Sequence, residues 1–221
     1  MFLLNLKSYP GALGTGAERI GRKLQSLARE LNVPCAIAPA PGDLGRLANA
    51  LDLPVLAQHV DPLDPGAFTG FNVPEAVRLQ EGRGSLVNHS EHRVPPRQVG
   101  KTVRMLNALG LVAVVCARDA RDAGRLARFR PPYLAVEPPE LIGSGRSVSK
   151  VRPEVVSDTV RSVRKVAPRC HVLCGAGIVD RTDVRRALEL GSEGVLVASA
   201  VARASSPTTA MRELLGGFPR S

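Results

Sequence analysis

The chain has 221 residues, is 44% hydrophobic and 23% charged, and carries a formal net charge of +10. That length suits one domain of roughly 200–250 residues or two small ones, and the mixture of apolar and charged residues excludes a disordered chain. No apolar run approaches the ~20 residues that cross a bilayer, and the opening residues 1–6 are too short for a secretion signal, so the expected location is cytoplasmic.

Short apolar runs alternate with amphipathic stretches along the whole chain. The first run, 2–6, is followed by Thr15-Gly16-Ala17-Glu18, a capping-box pattern that predicts a helix starting there with Ile20, Leu24, Leu27 and Leu31 on its apolar face. Runs 35–38 and 55–58 read as the second and third strands, and 74–80 leaves room for a short helix only. After the fourth run, 85–87, Val99, Val103 and Leu106 line a helix that Gly110 ends. Runs 112–116 and 134–136 are the fifth and sixth strands; Pro153 then opens a helix bearing Val156, Val160 and Val163. After run 171–174, Asp180 caps a helix carrying Val184, Ala187 and Leu188, which Gly191 terminates before the eighth run, 194–197. Near-continuous apolar runs of this kind are the pattern of parallel strands buried on both faces. Eight β-then-α units without a break in composition predict an α/β fold, a single (β/α)8 barrel domain over 1–221. The alternative is an open doubly wound sheet, but neither a Gly-x-Gly-x-x-Gly nor a Walker lysine follows the first strand.

Four cysteines (Cys35, Cys116, Cys170, Cys174) form no Cys-x-x-Cys pair and read as buried free thiols. On a strand Cys170 and His171 point apart, so no metal site is expected. The positive charge is spread over many segments, aromatic residues make up only 3%, and Trp is absent, which argues against a nucleic-acid partner. The same field attracts a small anionic substrate.

In a barrel, chemistry sits where strands end and loops begin. Asn5 and Lys7 close the first strand; Lys7 taken alone reads as a surface lysine in a frayed strand. Asn88-His89-Ser90-Glu91 follows the fourth strand, where His89 stands beside Glu91. Glu137 is the first residue off the sixth strand, and the proline-stiffened, glycine-tipped 138–145 segment after it suits a closing lid. Gly175-Ala176-Gly177 and Ala198-Ser199 follow strands seven and eight, where exposed N–H groups make an anion site.

Taken together, these segments resemble the triosephosphate isomerase family in its short archaeal-type form, over essentially the whole chain. The likeness rests on Asn5-x-Lys7, Gly66-Ala67-Phe68-Thr69-Gly70, Asn88-His89-Ser90-Glu91, Ala135-Val136-Glu137-Pro138-Pro139-Glu140-Leu141-Ile142-Gly143, Cys174-Gly175-Ala176-Gly177-Ile178 and Gly194-Val195-Leu196-Val197-Ala198-Ser199. The resemblance implies an isomerase of triose phosphates in glycolysis and gluconeogenesis that uses no cofactor. It implies Glu137 as base, His89 as electrophile, Asn5 and Lys7 as substrate holders, and Glu91 as the resting partner of Lys7. Backbone groups at Ile142, Gly143, Gly177, Ala198 and Ser199 would receive the phosphate. It also implies a homo-oligomer, a tetramer, in which Phe71-Asn72 is an unusual ending for the contact loop after strand three. The alternatives are another phosphosugar barrel, an epimerase or lyase, and a basic barrel that binds nucleic acid or serves as a scaffold.

Overall fold

The computed structural model describes residues 1–138 and 152–219. Its eight strands are all parallel: β1 (Phe2–Asn5), β2 (Cys35–Ala38), β3 (Leu56–Ala57), β4 (Gly84–Val87), β5 (Val112–Ala117), β6 (Tyr133–Val136), β7 (His171–Cys174) and β8 (Gly194–Val197). They pair in the order β2-β1-β8-β7-β6-β5-β4-β3. A parallel bridge between Ile37 and Val55 joins the two ends into a barrel, with the Ile37 N–H donating to the Pro54 carbonyl at 3.0 Å.

Strand alternation sorts the apolar side chains into two shells. Leu3, Ala36, Ala38, Leu56, Leu86, Val114, Cys116, Ala135, Leu173 and Leu196 fill the barrel interior. Their neighbours, among them Phe2, Leu4, Ile37, Val87, Val115, Leu134 and Val195, point outward and pack under the helices. Runs this short therefore have no polar face, because both faces are buried.

The outer ring holds α1 (Thr15–Leu31), α2 (Leu44–Ala50), α3 (Pro74–Leu79), α4 (Pro96–Ala108), α5 (Ala120–Leu126), α6 (Pro153–Val166), α7 (Arg181–Glu189), α8 (Ser199–Ala202) and α9 (Pro207–Leu215). Pro153 opens α6 as expected, and Val156, Val160 and Val163 are buried beneath it. Asp180 caps α7: its side chain accepts the Asp183 N–H at 2.8 Å, and Asp183 returns the bond at 3.2 Å.

Two expectations are corrected. The capping box at Thr15 is not formed. Gly14 (φ +56°) is the N-cap, its N–H is taken by the Asp43 carboxylate at 2.8 Å, and Glu18 instead pairs with Arg22 one turn on. A long-range partner thus displaced a local one. The third strand is also shorter than 55–58. Gln58 turns its side chain across the gap and donates to the carbonyls of Ala38 (3.1 Å) and Lys7 (3.0 Å), replacing main-chain pairing with an amide.

Candidate active site

The inward parity of Leu3, Leu86, Ala135, Leu173 and Leu196 continues two residues further to Asn5, Asn88, Glu137, Gly175 and Ala198. The same alternation that builds the core therefore delivers polar and small residues to one mouth. Asn5 and Glu137 are each only 3% exposed there.

The Asn5 carboxamide oxygen accepts the N–H of Lys7 two residues on, at 3.0 Å, closing an Asx turn. Lys7 sits at φ +50°, a left-handed conformation that costs a side-chain-bearing residue about 1 kcal/mol or more. The turn bond and the Gln58 amide on its carbonyl hold it in place. From that turn the Lys7 ammonium reaches the Glu91 carboxylate at 2.6 Å.

His89 departs from the alternation, and Asn88 is the cause. Asn88 adopts φ +63°, donates its amide to the Cys116 carbonyl at 2.8 Å and accepts the Val94 N–H at 3.1 Å. The left-handed step turns the following imidazole toward the mouth. Arg93 clamps the same corner by donating to the carbonyls of Asn88 (2.7 Å) and Cys116 (3.1 Å). His89 Nδ1 accepts the Glu91 backbone N–H at 3.2 Å, so its lone pair is there and the ring proton lies on Nε2. That Nε2 is 3.3 Å from Glu137 Oε1.

Glu137 packs directly on Gly175, where an added Cβ would meet its Cγ at 2.7 Å. Its other carboxylate oxygen, Oε2, is buried without a hydrogen-bond partner among the described residues. An unsatisfied buried acceptor is costly to keep, and such groups are found where an incoming molecule supplies the missing proton. Cys116 lies beside it. Burial, reinforced by the Glu137 carboxylate, raises the Cys116 thiol well above 9.0, so the base faces S–H rather than a second anion. Burial likewise pushes Cys35, Cys170 and Cys174 up to about 12, and all four thiols are free.

Asn5, Lys7, His89 and Glu137 share one small cavity, of about 70 Å³, with Gly177, Ala198 and Ser199. Gly177 is at φ +68°, and Ser199 begins α8, whose first N–H groups have no intrahelical acceptor. Ile142 and Gly143, together with most of the expected lid, lie outside the described residues. Arg93 and Gln58 were not singled out by sequence as site residues, and Asn88 and Gly175 entered only as members of motifs; each acts through the placement of a neighbour rather than through chemistry of its own. Among the described residues no cluster of His, Cys, Asp or Glu is arranged to hold a metal ion.

A wider cavity of about 570 Å³ adjoins this one and contains the stacked rings of His59 and His92, 3.9 Å apart. Burial and His92 lower the His59 pKa from 6.5, against the opposing pull of Asp61 at 3.3 Å; Lys7, His89 and Glu91 also line this space. A lowered pKa means the unfolded chain takes up the proton first. Stability is therefore full above pH 6.5 and declines as the pH falls from 6.5 toward the folded-state value. His92→Asn removes the like-charge neighbour and is expected to flatten this decline, measured as the drop in Tm between about pH 7.5 and 5.5. An unchanged drop would show that the stacked pair plays no part in it.

A closed parallel barrel with a carboxylate, an imidazole and a lysine converging at the carboxyl ends of its strands defines a (β/α)8-barrel enzyme. The family model for triosephosphate isomerase matches residues 1–214. Proteins named triosephosphate isomerase are similar over nearly their full length. That of Cenarchaeum symbiosum is 44% identical over 97% of this chain and 96% of its own, and that of Methanothermus fervidus 41% over 97% of each. That of Methanoculleus marisnigri is 43% identical over 96% of each. The chain belongs to the triosephosphate isomerase family.

Proposed function

We propose that Glu137, His89, Lys7 and Asn5 interconvert dihydroxyacetone phosphate and D-glyceraldehyde 3-phosphate, the isomerisation carried out in glycolysis and gluconeogenesis. The observation that carries the residue roles is the 3.3 Å approach of His89 Nε2 to Glu137 Oε1 beside the Lys7 ammonium.

Glu137 removes a proton from the hydroxyl-bearing carbon, and the electron pair moves onto the carbonyl oxygen to give an enediolate. His89 donates from Nε2 to that oxygen, and Lys7 and Asn5 add charge and a hydrogen bond where the negative charge develops. His89 then relays a proton between the two oxygens, and Glu137 returns its proton to the neighbouring carbon. Protons and electron pairs move within one substrate, so the step balances without an added oxidant or reductant. A neutral imidazole suits this role, since its N–H polarises an oxygen without a full charge; the bond from the Glu91 N–H to Nδ1 favours that tautomer. Backbone N–H groups at Gly177, Ala198 and Ser199 hold the phosphate end, with Ile142 and Gly143 completing the grip.

The loop between β3 and α3 supports a homo-oligomer, and the expected assembly is a tetramer. Phe68 and Phe71 are 41% and 55% exposed and pack edge to face at 6.0 Å, a surface suited to a second copy. Sedimentation velocity reads the assembly state. A cytoplasmic location fits four free thiols, together with the finding that no helix among the described residues is long and apolar enough to cross a membrane.

The test is a coupled assay in which glyceraldehyde 3-phosphate is supplied and the ketose formed is reduced by an NADH-linked dehydrogenase. Turnover within the ordinary enzyme range of about 1–10³ s⁻¹ or above is expected. A chain that converts neither triose phosphate in either direction sinks the proposal.

A further inference from the structure

A further cavity, of about 950 Å³, runs from the loops after β5 and β6 along the groove between α5 and α6 and shares no described lining residue with the two cavities of the mouth. Among the described residues Arg118, Arg121, Arg125, Arg128, Arg152 and Lys165 line it, against two carboxylates, Asp119 and Asp122. Of the two, Asp122 alone offsets cationic charge, against Arg125 and Arg118. Asp119 is spent as the cap of α5, accepting the Asp122 N–H at 2.7 Å. Asp122 is only 4% exposed and is bonded by Arg125 at 2.6 Å and Arg118 at 3.4 Å. Those bonds fix two guanidiniums in direction while leaving most of their N–H groups toward solvent, since each spends only part of its five-donor fork. Arg121, Arg128 and Lys165 pair with no carboxylate among the described residues.

Spacing adds a direction to this charge. Arg121 and Arg125 stand one turn apart on α5, with Arg118 just before the helix and Arg128 just after it, so the four follow one another in chain order along one wall of the cleft. Across the cleft, Arg152 and Lys165 come from α6 and its entry. The floor is small and apolar, with Gly124, Pro138 and Val155, so little bulk stands between the two cationic walls.

We propose that this cleft is a second anion site, which takes a linear oligophosphate of two or more phosphate groups. A row of guanidiniums matches successive phosphates, each of which presents the paired oxygens that a guanidinium fork binds best. A single phosphate would meet only one guanidinium. Among the described residues no aromatic side chain lines the cleft, so a base has nothing there to stack on, and the phosphate chain itself is the recognised part.

The experiment titrates the intact protein by calorimetry with inorganic tripolyphosphate, ATP and adenosine at low salt. Saturating glycerol 3-phosphate is present to occupy the catalytic mouth. Tripolyphosphate is expected to bind one per chain, with affinity falling steeply as salt is raised. Equal affinity for ATP assigns the free phosphate chain as the ligand chemistry; much tighter ATP binding with silent adenosine assigns the nucleotide as its source. The double variant Arg121→Ser, Arg128→Ser should lose at least about tenfold in affinity, whereas a charge-matched pair on α1, Arg19→Ser with Lys23→Ser, should lose less than about twofold. All four positions are exposed, so folding is not at risk. Equal losses in the two doubles would reduce the site to a diffuse positive field. Binding abolished by glycerol 3-phosphate would move it to the catalytic mouth. A preference for a single-stranded oligonucleotide over tripolyphosphate would likewise overturn it in favour of a nucleic-acid face.

Discussion

Glu137→Gln is expected to lower kcat by about 10³-fold, within the range that a positioned general base contributes. That corresponds to about 4 kcal/mol of lost transition-state stabilisation. The reason is chemical. The amide has the shape of the carboxylate but cannot accept a proton from carbon, and among the described residues no other carboxylate pairs with His89 Nε2. Glu137→Asp keeps the charge and withdraws it by one methylene, and should lose about 10²-fold because the reacting atoms no longer meet at bonding distance. KM should change little in either variant, since the main-chain groups proposed to hold the phosphate end belong to other strands. The comparison that exposes a wrong assignment is Glu91→Gln. Glu91 is largely exposed and serves Lys7 and His89 from outside, so its loss should cost far less. If it cost more than Glu137→Gln, the base would have to be reassigned.

Much of the barrel was legible because its grammar is local. Runs such as 112–116 and 194–197 have no polar alternation, and a strand buried on both faces is the economical explanation. Glu137 was legible for a related reason: it is the first ionisable residue after such a run, and inward parity carries it from Ala135 to the mouth. What stayed hidden depends on distant partners. Thr15 looks like a cap in sequence, but Asp43, 29 residues from Gly14, supplies the carboxylate that fixes the start of α1. His89 reaches the mouth only because Asn88 takes a left-handed turn, and that turn is held by a carbonyl 28 residues away and by Val94. Gln58 is another case: a polar residue ending an apolar run gives no hint that it will bridge two carbonyls. The flank cleft was invisible for a different reason. Its arginines are spread over α5 and the segments that flank α5 and α6, and in the linear sequence they merge with a general excess of positive charge.

Hydrogen bonds place His89 and Lys7, whereas packing places Glu137, and that difference leads to the second large expected effect. Gly175→Ala should lower kcat by about 10²-fold, the loss associated with moving a catalytic group by about 1 Å. A methyl at Gly175 would stand 2.7 Å from Glu137 Cγ and 3.2 Å from the Val136 carbonyl oxygen. The first distance is shorter than carbon atoms tolerate. The backbone cannot easily yield, because the Gly175 N–H donates to that same carbonyl at 2.9 Å within the β6–β7 ladder. The side chain of Glu137 must therefore give way, carrying its carboxylate off the line to His89 Nε2. No positive φ is involved at Gly175, so alanine adds no backbone strain there. Loss of activity should accompany a Tm within a few degrees of the parent. The kinetic signature is a fall in kcat with KM nearly constant, because the groups proposed to hold the phosphate lie at Gly177, Ala198 and Ser199. Combining Gly175→Ala with Glu137→Gln should cost little more than Glu137→Gln alone, since both act through one carboxylate. Full additivity, or unchanged turnover in Gly175→Ala, would mean that the close seat of Glu137 on this glycine has no part in the proton transfer.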